Sequence, residues 1–169
     1  VYGPHRLIKA VLPHMRREED GTIINISSVA GRVAFPGGGV YCGSKFAIEG
    51  MSDALRAEVE PFDIDVVVIE PGPVKTGFTE RAEDEVEEID RSGAYEEFYT
   101  MFDDSQAIGG DGPGSVEPER VAEDVVDAAS STKPPARIPV GTLASASVLA
   151  RFIPDSARDS LWSWLRRLN

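Results

Sequence analysis

Two runs of mostly β-branched residues bracket a long helical pattern, and this order constrains the fold more than any other feature. The runs are residues 22–27 and 64–69, and both are largely apolar. Such runs are typical of parallel strands that are buried on both faces. The helical pattern between them covers residue 41 to about residue 60, and Pro61 ends it. Because strand, helix and strand follow one another, we expect a right-handed parallel crossover.

The remaining patterns add helices and one short strand to this unit. Apolar residues recur at helical spacing over residues 2–17, where Pro13 is expected to bend the later turns. We predict an amphipathic helix over residues 118–131, a last strand over Arg137–Val140 and a helical tail over residues 142–169. A length of 169 residues, 41% of them hydrophobic, fits one domain. Residues 1–169 are therefore predicted to form a single α/β domain.

A serine, a tyrosine and a lysine are spaced so that they can act on one oxygen atom. Ser28 follows the first strand, and Tyr41 and Lys45 lie four residues apart at the start of the helix. Residues four apart share a helix face, so the ammonium lies beside the phenol. Such a neighbour favours the phenolate, and a phenol with an ordinary pKa near ~10 can then exchange a proton near neutral pH. Because Ser28 can hydrogen-bond the same substrate oxygen, the set predicts a ketone or alcohol oxidoreductase.

Three motifs carry a resemblance to a known family. They are IINISSVAG at residues 23–31, YCGSK at residues 41–45 and PGPVKT at residues 71–76, and they resemble the classical short-chain dehydrogenase/reductase family. The amino-acid sequence around the helix at residues 41–60 is most similar to that of the hydroxysteroid and retinol dehydrogenase-like members of this family. The resemblance implies a Rossmann-like doubly wound parallel sheet with flanking helices, of which this chain holds the last three strands. It selects Ser28 over Ser27 as the catalytic serine, and side-chain alternation puts these two serines on opposite faces of the strand end.

The resemblance also implies NAD or NADP as the cofactor and leaves the choice between them open. Lys45 would hold the ribose hydroxyls of the nicotinamide half, Val74 would contact the nicotinamide through its backbone, and Thr76 would contact it through its hydroxyl. A turn without a ligand is the alternative interpretation of the segment after the second strand. The full set of implied cofactor-binding residues is Tyr41, Lys45, Pro71, Gly72, Val74 and Thr76.

A phosphate-binding glycine loop is missing from the sequence. The dinucleotide fold needs a strand, a glycine-rich turn and a helix that meets the pyrophosphate. The only similar run covers residues 109–114, but no apolar strand precedes it and Pro113 lacks an amide donor, so we interpret it as a loop. The chain begins without Met inside a helical pattern. We therefore expect it to be the C-terminal part of a longer enzyme, whose family asparagine would lie just before Val1.

Charge and cysteine content narrow the classes of partner. A formal net charge of −12 argues against binding nucleic acid or an anionic membrane. The acid-rich surface, with only 4 Lys among 17 basic residues, fits a halophilic source and an ordinary acidic protein equally. The single Cys42 excludes an internal disulfide and fits a cytoplasmic location. No run approaches the roughly 20 apolar residues of a membrane span. His5 and His14 have no neighbouring ligands in the sequence, so no metal site is predicted.

We thus expect an NAD(P)-dependent oxidoreductase that interconverts an alcohol with a ketone or aldehyde. Residues 76–116 would cover the small-molecule substrate, although their acidic composition does not identify that substrate. The resemblance further implies a homodimer or homotetramer built through the helices at residues 2–17 and 41–60. The alternative, motivated by the missing glycine loop, is a catalytically inactive truncated or regulatory Rossmann-like binding protein.

Overall fold

One parallel sheet organises the protein, whose computed structural model describes residues 1–78, 81, 93–96, 99, 112 and 114–166. Its strands are β1 (Gly21–Ile26), β2 (Ile64–Pro71) and β3 (Arg137–Val140), in the order β1-β2-β3. Ile26 pairs with Ile69, and Pro71 pairs with Val140. The predicted α/β class and the parallel order of the strands are confirmed.

Five helices have their bounds within the described residues, and the first four of them pack against the sheet. They are α1 (Tyr2–Glu18), α2 (Gly39–Val59), α3 (Pro118–Ser130), α4 (Thr142–Ala150) and α5 (Asp155–Arg166). Short 3-10 turns cover Val29–Gly31, Glu60–Phe62 and Gly93–Tyr95. The helical tail is thus two helices rather than one continuous element. Pro13 lies inside α1, and Pro61 lies in the turn that follows α2.

The core lies on both faces of the sheet because the central strand is buried on both. On one face, α1 and α2 cover a cluster of Ile23, Val59, Ile64 and Val66. On the other face, α3 covers a cluster of Val67, Ile69, Ala128 and Val140. Side chains of β2 therefore alternate between the two clusters, as a fully buried parallel strand requires. This two-sided cover is the doubly wound arrangement that was predicted.

Parts of several sequence predictions lie outside the described residues. Most of the predicted substrate-covering segment, residues 76–116, is among them, as is most of the glycine-rich run at residues 109–114. Within the described residues, no helix is long and apolar enough to cross a membrane. The same part of the chain holds no group of three or more His, Cys, Asp or Glu side chains arranged to bind a metal.

Candidate active site

Ser28 lies between the ends of two neighbouring strands. It precedes the Val29–Gly31 turn, and its Oγ accepts a hydrogen bond from the Ala30 amide at 3.2 Å. The same hydroxyl donates to the carbonyl of Pro71, the last residue of β2, at 3.5 Å. The preceding Ser27 is also buried, but its Oγ has no hydrogen-bond partner in the described part of the chain. The Ser28 hydroxyl, at the carboxyl end of the sheet, therefore has one hydrogen-bond partner in the turn and another at the end of β2.

Tyr41 and Lys45 lie on consecutive turns of α2, as the four-residue spacing predicts. The Lys45 Nζ is 5.7 Å from the centre of the Tyr41 ring, and it donates a hydrogen bond to the carbonyl of Ile26 at 3.1 Å. Because Ile26 is the last residue of β1, this bond ties the ammonium to the strand end. The Tyr41 ring also packs against Phe78, with 5.4 Å between ring centres.

The Lys45 ammonium is in an environment that disfavours its charge. Burial lowers the pKa of Lys45 from its ordinary value of 10.5, while the carboxylate of Glu49 opposes this effect. Desolvation outweighs the favourable charge, so the net direction is downward. The protonation of this lysine thus depends on the side chains that surround it.

Pro71 is the last residue of β2. Gly72 follows it and lies beside the end of β3 and the start of α4. The Gly72 amide donates to the carbonyl of Val140 at 3.0 Å. A Cβ added at Gly72 would make ordinary contacts with Val140 and Ala144, at 3.5 Å or more. The small residue therefore faces the start of α4, and the protein packing alone does not require glycine there.

Val74 and Thr76 lie on the segment that follows β2. Val74 forms an isolated parallel bridge with Val116, in which the Val116 amide donates to the Pro73 carbonyl and the Lys75 amide donates to the Val116 carbonyl. In such a bridge, the amide and carbonyl of Val74 itself face the opposite side. The Thr76 hydroxyl is exposed, and it accepts from the Phe78 amide at 3.4 Å.

A buried charge cluster behind Lys45 was missed by the sequence analysis. Glu70 is 1% exposed near the end of β2, and its Oε1 lies 3.3 Å from the Arg32 Nε and 3.2 Å from the Arg137 Nε. The Arg137 Nε also lies 3.1 Å from the Oε2 of Glu49. The available signal was the four-residue spacing of Lys45, Glu49 and Asp53 along one face of α2.

The predicted catalytic residues thus lie at the same edge of the sheet, and each is held there by a different contact. Lys45 is anchored at the end of β1, Ser28 at the end of β2, and Tyr41 lies beside Lys45. Val74 lies three residues beyond β2. The described contacts of Thr76 are local to its own segment. Carboxyl ends of parallel strands are the usual place for ligands in open α/β sheets.

Known proteins resemble this chain in sequence. The family profile described as "short chain dehydrogenase" matches residues 1–87. The Escherichia coli K12 protein "Uncharacterized oxidoreductase YbbO" is 34% identical over 163 residues, which cover 95% of this chain and 55% of that protein. Human 17-beta-hydroxysteroid dehydrogenase type 1 is 35% identical over 140 residues, covering 81% of this chain and 42% of the human protein. The chain spans about half the length of these curated relatives.

Solved structures resemble it in the same way. A short-chain dehydrogenase from Streptomyces avermitilis superposes with a TM-score of 0.71 at 30% identity, covering 98% of this chain and 58% of that one. A 3-oxoacyl-[acyl-carrier protein] reductase from Brucella melitensis with bound NAD gives a TM-score of 0.55 at 25% identity, covering 82% and 45% of the two chains. Fold, motif order and family profile agree, and the chain belongs to the short-chain dehydrogenase/reductase family.

Proposed function

We propose that the protein containing this chain is an NAD(P)-dependent oxidoreductase that interconverts an alcohol and a ketone or aldehyde, with Tyr41 as the general acid/base. The observation that carries the proposal is the position of Lys45. Its ammonium is fixed to the Ile26 carbonyl, 5.7 Å from the centre of the Tyr41 ring. A cation held there attracts the negative charge that develops on the phenol oxygen when Tyr41 gives up its proton to the substrate.

The residues at this edge fit the nicotinamide end of the cofactor. Lys45 offers donors for ribose hydroxyls, Val74 turns its own amide and carbonyl away from Val116, and Thr76 presents an exposed hydroxyl. These groups match a ribose and a carboxamide in chemistry. When bound, the nicotinamide supplies or accepts a hydride at its C4.

The remaining chemistry belongs to three side chains of this chain. In the reducing direction, the substrate oxygen gains negative charge as its carbon accepts the hydride, and Tyr41 gives that oxygen a proton. In the oxidising direction, the Tyr41 phenolate takes the hydroxyl proton while the hydride leaves carbon. Ser28 turns its hydroxyl hydrogen from the Pro71 carbonyl to the same oxygen, which this hydrogen bond positions and polarises. Lys45 holds its positive charge beside the phenol in both directions.

Phe78 suggests which substrates suit this site. Its ring packs against Tyr41 and remains 56% exposed, so it presents an apolar surface beside the phenol. Burying that ring against an apolar substrate group would be favourable, because about 25 cal/mol is gained per Å² of apolar surface removed from water. We therefore propose a carbonyl or alcohol carried on a bulky apolar body.

The test is cofactor oxidation by the full-length protein. NADH and NADPH are each mixed with a 17-ketosteroid or a small aliphatic ketone, and the nicotinamide absorbance is followed. We expect turnover with at least one cofactor and a higher kcat/KM for the steroid. A change in nicotinamide fluorescence on binding, with no turnover of either carbonyl or of the corresponding alcohols, would instead favour the inactive binding protein.

A further inference from the structure

Acidic side chains continue the face of α2 that carries the tyrosine and lysine. Tyr41, Lys45, Glu49 and Asp53 follow at intervals of four residues, so they form a stripe along one side of the helix. Glu49 is 5% exposed, which is rare for a carboxylate unless it has partners. A buried charge one turn from the site lysine is therefore a feature that needs a reason.

The Val29–Gly31 turn closes over Lys45 and Glu49. A Cβ added at Gly31 would lie 3.1 Å from the Lys45 carbonyl oxygen and 3.0 Å from the Glu49 Cγ. Glycine lets the turn approach α2 this closely. The turn excludes water from the Glu49 side chain, so the charge on Glu49 acts on its neighbours with little screening.

Glu49 is bonded at only one of its two oxygens. Its Oε2 accepts a hydrogen bond from the Arg137 Nε at 3.1 Å. Its Oε1 is buried and has no fixed donor among the described residues. Glu70 is close enough that the charge of Glu49 raises the pKa of Glu70. The charge of Glu49 therefore acts on both of its titratable neighbours, Glu70 and Lys45.

Arginines on two other elements keep Glu49 and its neighbours compatible with burial. Arg137 on β3 contacts Glu49 and Glu70, and its terminal nitrogen lies 2.5 Å from the Asp53 carboxylate. Arg32, just after the turn, also contacts Glu70. The two cations offset the acids of the cluster, which lets a carboxylate remain beside the site.

We propose that Glu49 is a positioning residue whose buried carboxylate keeps the half-buried Lys45 ammonium charged and directed at the end of β1. The inference rests on the role proposed above for Lys45 beside Tyr41. A neutral lysine would carry no charge beside Tyr41 and would lose a donor for the ribose. Burial alone lowers the pKa of Lys45, and the Glu49 charge is the effect that opposes it.

The direct test is the titration of Lys45 itself. Lysine labelled with ¹³C at Cε is incorporated into the full-length protein, and the Lys45 signal is assigned by its loss in Lys45→Arg. Glu49→Gln keeps the shape and an acceptor for Arg137 but removes the charge. We expect the Lys45 titration midpoint to fall by on the order of one pH unit in Glu49→Gln. Glu58→Gln, on an exposed part of α2, is the matched control and should leave it unchanged.

A second variant gives the opposite sign. Arg137→Gln retains a donor for Glu49 but removes the nearby positive charge, so the Lys45 midpoint should rise. General damage to packing would not move the midpoint in opposite directions in the two variants. Each variant decides the question alone, so loss of folding in one leaves the other decisive. An unchanged midpoint in folded Glu49→Gln or in folded Arg137→Gln would overturn the proposal.

Turnover then separates this inference from the proposed function. With the 17-ketosteroid, the alkaline limb of the kcat profile should move to lower pH in Glu49→Gln and stay in place in Glu58→Gln. The NMR titration needs no turnover. A shifted Lys45 midpoint in a protein without oxidoreductase activity would therefore uphold the effect of Glu49 and refute the proposed reaction.

Discussion

Glu70 is the residue that makes the buried cluster sensitive to pH. Burial, and next the nearby charge of Glu49, raise the pKa of Glu70 from 4.5 to about 7, against the opposing effect of Arg32 and Arg137. Asp53 completes the charged groups that face this cluster from α2. Because the folded protein binds the Glu70 proton more tightly than the unfolded chain, this group stabilises the fold below pH 4.5, and its contribution is lost as the pH rises through about 7.

Glu70→Gln tests that sign. Glutamine mimics the protonated acid, so the variant should be about as stable as the wild type at and below the ordinary carboxyl pKa of 4.5. Between about pH 4.5 and 7 it should become progressively more stable than the wild type, and the gain should level off above that range, because only the wild type must hold a proton or bury a charge. Urea unfolding at a series of pH values measures the difference. A constant difference across the series would contradict the assignment of Glu70 as the titrating group.

Phe78 provides a test of substrate class. Its exposed ring beside Tyr41 should contact an apolar substrate but take no part in proton transfer. Phe78→Ala should therefore raise KM for the 17-ketosteroid by about tenfold, equivalent to roughly 1.4 kcal/mol, and change kcat little. The small aliphatic ketone serves as the internal control. Equal losses for both ketones would argue that Phe78 only supports the position of Tyr41.

The local part of the site could be predicted from the sequence alone. Tyr41 and Lys45 are neighbours because of helix geometry, so their contact followed from spacing. The cluster around Glu70 could not be obtained this way. Arg137 is 88 residues from Glu49 in sequence, and they meet only because β3 pairs with β2 in one particular register. Single-residue properties contain no information on that register.

At the scale of elements, the approach of the Val29–Gly31 turn to α2 holds the site together. Gly31→Ala would place a Cβ 2.8 Å from the Ser27 Oγ and 3.1 Å from the Lys45 carbonyl. We expect a destabilisation of about 1–3 kcal/mol, because the turn must move away from the helix. We also expect a lower kcat, since Ser28 lies on one side of this contact and Lys45 on the other.

Gly43→Ala is the matched control within the same helix. A Cβ at Gly43 would meet no atom within 4 Å, so alanine should stabilise α2 by about 0.5–1 kcal/mol. Thermal unfolding and steady-state kinetics of both variants provide the comparison. If Gly31→Ala were as stable and active as Gly43→Ala, the close approach would have no role in the site.

Most elements were predictable because their patterns are local. β3 has the predicted bounds, and α3 begins at Pro118 as expected. β2 continues two residues beyond the predicted end because Glu70 and Pro71 pair with β3. The break of the tail into two helices was not predicted, since it falls at Pro154 in a region where both sides have helical patterns. Long-range pairing and local breaks therefore set the limits of the sequence prediction.

At the scale of the whole molecule, we expect a homodimer or homotetramer built through α1 and α2. Leu7 is 69% exposed on α1, and a groove of about 480 Å³ lies between the two helices. Gly50 leaves space for close helix approach, because a Cβ there would meet no atom within 4 Å. Oligomers usually use closed two-fold symmetry, which would bring this face against its own copy.

Light scattering of the full-length protein in low and high salt tests this assembly. Gly50→Arg should shift the species towards monomer, because the added charge would be buried at the contact. Glu119→Arg on α3, where the residue is exposed, is a comparable change away from the proposed interface. A monomeric wild type under both salt conditions would refute the assembly.

The central claim is that Tyr41 transfers the proton while Lys45 supports both that transfer and the cofactor. Tyr41→Phe removes only the ionisable oxygen, so turnover should fall to the background rate while the Kd for NADH or NADPH stays nearly unchanged. Lys45→Ala should impair turnover and weaken cofactor binding together. The decisive measurement is nicotinamide absorbance for turnover and nicotinamide fluorescence for binding, made on both variants of the full-length protein. Loss of turnover in Tyr41→Phe with intact binding is the predicted result, and equal turnover in Tyr41→Phe and wild type would contradict it.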